Sequence, residues 1–379
     1  KNNKVPKLRF KEFKKGWRKE QLKEISAPIK EKNSSNRISL VISNSAVHGL
    51  ISQTDFFDKD IANSENINRY YVIHKGDFVY NPRKSIYAPY GPINVLEEYN
   101  EGIVSPLYIC FKIDEVYTLF LKWYFKTTKW HRYIYINGDQ GARGDRVSIK
   151  EWTFYKMPIY LPSDLEIDKI ASFLELVQQK IIILERKINI LKKYKEGLKI
   201  YAHNYVIHCG KCISFQNLFI SRAKKNKQGF QQYTIGKFGI RKLEETNYNI
   251  LNHKVFEKDN LIIGIGIEEI AFSHVQYGSV SPVYDVFEMV NKDFFDCLEI
   301  TLKKQLWNRR NFITRKSTRR AFEVDKKELM KVNVFVVDNE NFKNVYNSIV
   351  FVEKLIDSLI TQLIRLKNIK LYFLDKMFI

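Results

Sequence analysis

The chain has 379 residues, 45% of them hydrophobic and 14% aromatic, which is enough to fill the cores of two or three domains and excludes a disordered polypeptide. Sixty-three Lys and Arg against 42 Asp and Glu leave a net charge of +21, a field that favours polyanions such as nucleic acid. No apolar run of about eighteen residues occurs, and the N-terminus KNNKVPKLRFKEFKKGW has no apolar signal core, so the expectation is a cytoplasmic protein with no membrane partner. Lys1 is not a start methionine, so the numbered chain is expected to be trimmed.

The first element is a strand. GIVSPLYICFKI (102 to 113) reads as a strand after a Ser-Pro turn, preceded by KGDFVYN (75 to 81) and a long loop around NPRKSIYAPYGPINV. Next comes LKWYFKTTKWHRYIYINGDQGARGDR (121 to 146), an aromatic helix running into a loop that carries Lys126, Lys129, Arg132, Arg143 and Arg146. Gly138, Gly141 and Gly144 let that backbone come close to another surface. VSIKEWTFYKMPIYLP (147 to 162) leads out of this first globule, residues 1 to 165.

Pro162 and Ser163 then introduce a helix, with Asp164 and Glu166 placed favourably in its first turn. Ile170, Leu174, Val177, Ile181, Leu184, Ile188 and Leu191 recur at alternating steps of four and three, the seam of a heptad helix that needs a partner. The helix is expected to stop near Gly197, giving a rod of roughly 45 Å within a spacer at 166 to 205. Beyond it, HNYVIHCGKC brings His203, His208, Cys209 and Cys212 within ten residues. A structural zinc site joins two separated ligand pairs, so this segment reads as a turn at Gly210 with ordinary thiols beside it, and no metal is assigned. With Cys110 and Cys297 the chain has four cysteines, too few for a disulfide framework, which fits a reducing compartment.

The second half repeats the first. KDNLIIG (258 to 264) answers KGDFVYN at an offset of 183, and GSVSPVYDVFEM (278 to 289) answers GIVSPLYICFKI at 176. The difference assigns seven extra residues to the first copy's loop. FEVDKKELMKVNVFVV (322 to 337) answers VSIKEWTFYKMPIYLP. Finally Val345, Ile349, Val352, Ile356, Leu359, Leu363 and Leu366 form a second seam in which every residue lies 175 positions after its counterpart. The architecture is α+β: two mixed, strand-rich globules at 1 to 165 and 206 to 341, each followed by a long helix, the second at 342 to 379. The simplest packing of the two helices is an intramolecular antiparallel coiled coil.

The globules hold +9 and +6 of the charge, so nucleic-acid contact is expected there and not on the helices. The densest patch, KKQLWNRRNFITRKSTRR (303 to 320), has Lys303, Lys304, Arg309, Arg310, Arg315, Lys316, Arg319 and Arg320 with Trp307 and Phe312 interleaved and no acid. Arginine both clamps phosphates and reads guanine edges, which marks this stretch and its counterpart at 121 to 146 as DNA-binding candidates. SRAKKNKQG (221 to 229) reads as a solvated loop.

Catalytic signatures are missing. Gly236-Lys237-Phe238 lacks the glycine spacing and hydroxyl of a phosphate-binding loop. Gly264 and Gly266 are followed by Glu269 where a dinucleotide fold needs its third glycine. Asn81-Pro82-Arg83-Lys84 lacks the second proline and aromatic of an amino-methyltransferase tetrad, and Asp325-Lys326-Lys327 has no upstream carboxylate with which to hold magnesium.

VPKLRFKEFKKGWRKEQLKEI at the N-terminus, and VSIKEWTFYKMPIYLPSDLEIDKIASFLELVQQKI across the first junction, resemble the specificity subunits of type I restriction-modification systems. The second junction lacks the prolines of the first, and the Cys-x-x-Cys is not a feature of that family. The resemblance implies two target recognition domains separated by an antiparallel helix pair, each domain reading one half of an interrupted target in double-stranded DNA. A rod of roughly 45 Å exceeds one DNA turn of about 34 Å, which agrees with two separated half-sites. The resemblance further implies that two modification (methyltransferase) subunits dock on the helices to methylate adenine, and that a restriction subunit adds cleavage. S-adenosylmethionine, magnesium and ATP would belong to those partners, leaving this chain without a cofactor or catalytic residue. The competing readings are a stand-alone sequence-specific or architectural DNA-binding protein and a cryptic nuclease.

Overall fold

The computed structural model describes every residue except 1–3, 54–63, 140–143, 223, 227–228, 237–238, 245–251 and 317–322. Arg143 and Gly141 in the first candidate loop, and Arg319 and Arg320 in the second patch, lie outside the described residues. The chain divides into two compact units, one formed by residues 1–185 with 362–379 and the other by residues 186–361.

In the first unit, β1 (Arg18–Gln21) starts the fold and β2 (Ser26–Pro28), β3 (Ile42–Ser45) and β4 (Gly49–Ser52) follow. Then come β5 (Tyr71–His74), β6 (Phe78–Tyr80), β7 (Ile93–Val95), β8 (Glu101–Val104) and β9 (Ile109–Ile113). Three helices succeed them, α1 (Glu115–Tyr124), α2 (His131–Asn137) and α3 (Glu151–Tyr155), before β10 (Pro158–Leu161). The main sheet has the order β2-β9-β6-β7, β5 pairs with β8, and β10 returns to pair antiparallel with β1. Phe78, Tyr80 and Phe111 from the sheet meet Phe120 of α1 and Phe154 of α3, all fully buried, with Tyr80 and Phe154 stacked at 5.0 Å. Burial of each such ring stabilises by about 1.5–3 kcal/mol, so this aromatic cluster fixes the sheet against its helices.

The second unit repeats the main strand pairings of the first. After β11 (Lys211–Ser214) and the short α5 (Phe215–Leu218) come β12 (Phe219–Arg222), β13 (Gln232–Gly236), β14 (Gly239–Lys242) and β15 (Lys254–Glu257). These are followed by β16 (Leu261–Ile263), β17 (Ile270–Phe272), β18 (Tyr277–Val280) and β19 (Asp285–Met289). Its sheet β12-β19-β16-β17 matches β2-β9-β6-β7, β15 pairs with β18 as β5 does with β8, and β22 (Asn333–Val336) pairs with β11 as β10 does with β1. Between them lie helix α6 (Phe295–Asn308), a turn of helix at Arg310–Ile313, the hairpin β20 (Thr314–Arg315) and β21 (Glu323–Val324), and α7 (Lys326–Lys331). Asp325 accepts hydrogen bonds from the backbone N–H of Lys327 and Glu328, so this carboxylate caps α7.

Two long helices carry the seams. The first, α4, runs Asp164–Cys209 and the second, α8, Glu340–Lys376. The first corrects the expected stop near Gly197: the helix continues through it. A glycine inside a helix costs only about 1 kcal/mol, and the turns beyond it bury Ala202 and Val206 in the core of the second unit, which outweighs that cost. The helix ends instead at Gly210, where any Cβ would lie 2.3 Å from the Val206 carbonyl oxygen. All fourteen seam residues are buried or half-buried. In the first unit Phe173 meets Phe373 at 4.9 Å, Lys370 donates to Gln178 at 2.9 Å and Lys367 pairs with Glu185 at 2.7 Å. In the second, Lys195 pairs with Glu353 at 2.9 Å and Tyr205 packs on Phe342. Partner numbers fall as residue numbers rise, so the helices are antiparallel in both units.

Glu166 has a larger role than its place in a first turn suggests. It is fully buried and receives Nε and Nη2 of Arg9, each at 2.7 Å, with Trp17 Nε1 at 3.4 Å. The pair ties the N-terminal segment to the helix start.

Candidate nucleic-acid interface

Each unit has a cleft at the same place in its repeat. In the first, the end of β6, the residue after the Ser-Pro turn and the bridged segment leading into α3 enclose about 360 Å³, lined by Pro82, Leu107, Ile109, Asp139, Arg146 and Ser148 among others. In the second, the end of β16, the residue after its Ser-Pro turn and the β20-β21 hairpin enclose about 340 Å³, lined by Ile265, Val283, Asp285, Arg315, Glu323 and Lys326 among others. The equivalence is exact in the backbone bracing too: Val147 N–H donates to the Pro82 carbonyl and Val324 N–H to that of Ile265, both at 2.9 Å. Leu107 and Val283, 176 residues apart, stand 57% and 54% exposed on the two rims.

The linings differ in charge. The first cleft holds one arginine, Arg146, near Asp145 (3.7 Å) and with Asp139 in the wall. The second is more ionic: Lys326 and Lys254 both pair with Asp285, at 2.6 and 3.1 Å, and Arg315 meets Glu323 at 3.3 Å. Groups of this kind are chemically able to donate to and accept from base edges, and arginine is able to pair with phosphate.

Of the DNA-binding candidates read from sequence, Arg146 and Arg315 line the clefts. Arg132 is exposed on α2 and Lys316 follows β20. Arg310 lies 4.9 Å from the Trp307 ring and Arg309 5.6 Å from that of Phe335. Four others are turned elsewhere. Lys126 donates to Asn94, and withdrawal of its amine from water lowers its pKa to about 8. Lys129 pairs with Asp375 at 3.5 Å, and Lys303 and Lys304 line a separate cavity with Glu196, Lys199 and Trp307. Sequence reasoning missed Arg83, Leu107, Val283 and Lys326. The signal that could have found them was the repeat itself, since Leu107 and Val283 follow the two matched Ser-Pro turns. His203 and His208 border a small cavity with Arg309, while Cys209 and Cys212 are exposed outside it. Among the described residues no group of three His, Cys, Asp or Glu side chains could hold a metal ion. Nor is any described helix long and apolar enough to cross a membrane.

No family model matches the chain, and no curated protein matches it by sequence. Solved structures do match. The S subunit of a type I restriction-modification system from M. genitalium aligns with a TM-score of 0.57 at 15% identity, covering 99% of both chains. The fold is that of a type I specificity subunit. A specificity-subunit structure from Thermoanaerobacter tengcongensis agrees, at TM-score 0.50, 13% identity and 97% coverage of both chains. A chain from a structure describing complex assembly and conformational transition of a type I restriction-modification system aligns at TM-score 0.52 and 12% identity, over 97% of this chain and 98% of that one. The specificity-subunit fold thus spans both repeats and both helices, and its two clefts differ in the charge of their linings.

Proposed function

We propose that the chain is the non-catalytic DNA-specificity subunit of a type I restriction-modification complex. Residues 1–165 and 206–341 act as target recognition domains, each reading one half of an interrupted target in double-stranded DNA through its cleft. The helix pair sets the gap. The observation that carries this reading is the repetition of one strand order and one cleft, with different linings, before and after the first long helix in the chain. Arg146 and Arg315 contact bases or the adjacent phosphates, Arg132, Arg309, Arg310 and Lys316 extend the phosphate contacts, and the remaining basic residues contribute to the attracting field.

Two modification subunits dock on the outward faces of the helices and methylate adenine, and a restriction subunit joins them for cleavage. The helices carry apolar side chains that their own seam does not use: Leu176 and Ile183 in the first unit and Ile190 in the second recur at seven-residue steps and are exposed, as is Phe351. Apolar stripes of this kind mark protein contacts. S-adenosylmethionine, magnesium and ATP belong to the partners.

The test is a map of adenine methylation across the host genome by long-read sequencing, with this gene present and deleted. Deletion is expected to remove one interrupted two-part motif. An unchanged methylome, with the modification subunit confirmed as expressed, would overturn the proposal in favour of a stand-alone DNA-binding protein.

A further inference from the structure

The two repeats differ in length at the connection that leaves the cleft strand. Twelve residues, 81 to 92, join β6 to β7, whereas only six, 264 to 269, join β16 to β17. The short connection closes on itself: the Glu269 carboxylate accepts from the N–H groups of Ile265 and Gly266 at 3.0 and 3.3 Å. The long one projects, and it is rigid. Ser85 and Ala88 exchange both backbone hydrogen bonds, at 3.0 and 3.2 Å, making a two-residue turn whose tip is Ile86-Tyr87. Behind the tip, Tyr80 Oη donates to the Tyr90 carbonyl at 2.8 Å, and Asn81 N–H to that of Pro92 at 3.0 Å. Gly91 makes the return possible: its φ is +82°, and a Cβ there would lie 2.0 Å from the Asn81 carbonyl oxygen. The other flank is laced to the cleft wall by Lys84 N–H donating to the Asp145 carbonyl at 2.8 Å, beside the Arg83–Arg146 bridge.

The tip residues are unusual in being so open to solvent: Ile86 and Tyr87 stand 96% and 78% exposed. Among the described residues, neither side chain joins a hydrophobic cluster of this unit. Arg83 and Arg146 flank the base of the projection, sharing Asp145 at 3.9 and 3.7 Å, so the surroundings of the tip carry more positive than negative charge.

We infer that the Ile86-Tyr87 turn is a base-contacting tip that enters a groove of double-stranded DNA at the half-site read by the first domain, with Arg83 and Arg146 on the flanking phosphates. A tip of one aliphatic and one aromatic side chain, with a single phenolic hydroxyl, recognises DNA chiefly through thymine methyl groups, or by inserting at a deformable base step. The charge complementarity of the two arginines selects DNA over a partner protein as the occupant. The second domain, whose short connection is closed by Glu269, reads its half-site without such a device. This inference rests on the proposed specificity role and deepens it.

The experiment uses the full chain assembled with its modification subunits, on duplexes carrying the two-part motif that the methylome supplies. The Ile86→Ser/Tyr87→Ser double variant is expected to keep its melting temperature and its assembly, because both side chains are exposed. It should lose about ten-fold or more in affinity for the specific duplex while retaining non-specific binding. A 2-aminopurine probe stepped through the first half-site should brighten at one position with the wild-type complex and not with the double variant if the tip inserts. If the tip contacts methyl groups instead, replacing thymine with uracil in that half-site should cost the wild type affinity but not the double variant. Unchanged specific affinity in the double variant would overturn the inference and leave the specificity role intact. Loss of assembly at unchanged melting temperature would overturn it in favour of a protein contact. Absence of specific binding by the wild-type complex would overturn the specificity role and this inference together.

Discussion

The two clefts share a scaffold and diverge in lining. In the first, one arginine faces a largely neutral wall below a twelve-residue projection; in the second, Arg315, Lys326, Asp285 and Glu323 form a mesh of ion pairs beside a six-residue connection. The same backbone hydrogen bond, Val147 to Pro82 or Val324 to Ile265, holds each wall in place. The two copies therefore keep one fold while the lining of the cleft changes, because most of the differing groups sit on the rim of the sheet and not in its aromatic core. The helices join the two halves, so damage to them should erase the distinction, whereas damage to either cleft should expose it.

The largest effect is expected at the seam. Ile181→Asp and Ile356→Asp each place a carboxylate where a nearly fully buried isoleucine stood, 3% and 4% exposed. Each should cost about 4 kcal/mol or more, read as a fall in melting temperature, and together they should abolish assembly with the modification subunit. Retained assembly would argue against the paired helices. Next is Glu166→Gln, which leaves Arg9 without its carboxylate. Since Arg9 keeps some contact with water, a loss of about 2–3 kcal/mol is expected in urea unfolding, short of the cost of a wholly buried pair.

Smaller and more selective effects should follow at the site itself. Gly91→Ala forces a side chain onto a carbonyl at positive φ, and should relax specificity only at the half-motif read by the first domain, with a stability cost of about 1–3 kcal/mol. Arg146→Ala should weaken discrimination in one half-motif and Arg315→Ala in the other, by about 1–3 kcal/mol each in competition binding. Lys316→Ala, a surface charge, should lower affinity uniformly across sequences and reduce the salt slope of binding by about 1.

The fold was legible in the sequence because duplication is a long-range signal carried by short-range patterns. Matched heptads at an offset of 175 and matched Ser-Pro turns at 176 located the helices and the paired strands before any packing was known. The extent of the first helix was not legible, because the core packing of Ala202 and Val206 that outweighs Gly197 is tertiary. The site was legible only in part. Arginine density picked out Arg146 and Arg315, which line the clefts, together with Lys303 and Lys304, which line another cavity, because density along a chain does not say which face a side chain takes. Asp325, which imitated part of a nuclease signature, caps a helix. Leu107 and Val283 went unnoticed since single exposed aliphatic residues have no sequence signature; their equivalence in the repeat is what gives them meaning.

The most direct test of the account is a domain exchange read at the level of the genome. Residues 1–165 would be replaced by the corresponding segment of a chain with the same fold and a different target, and adenine methylation mapped by long-read sequencing. The account predicts a new two-part motif in which one half changes while the other half and the gap are kept. A motif altered in both halves, or in neither, would contradict the claim that each cleft reads its own half of the target.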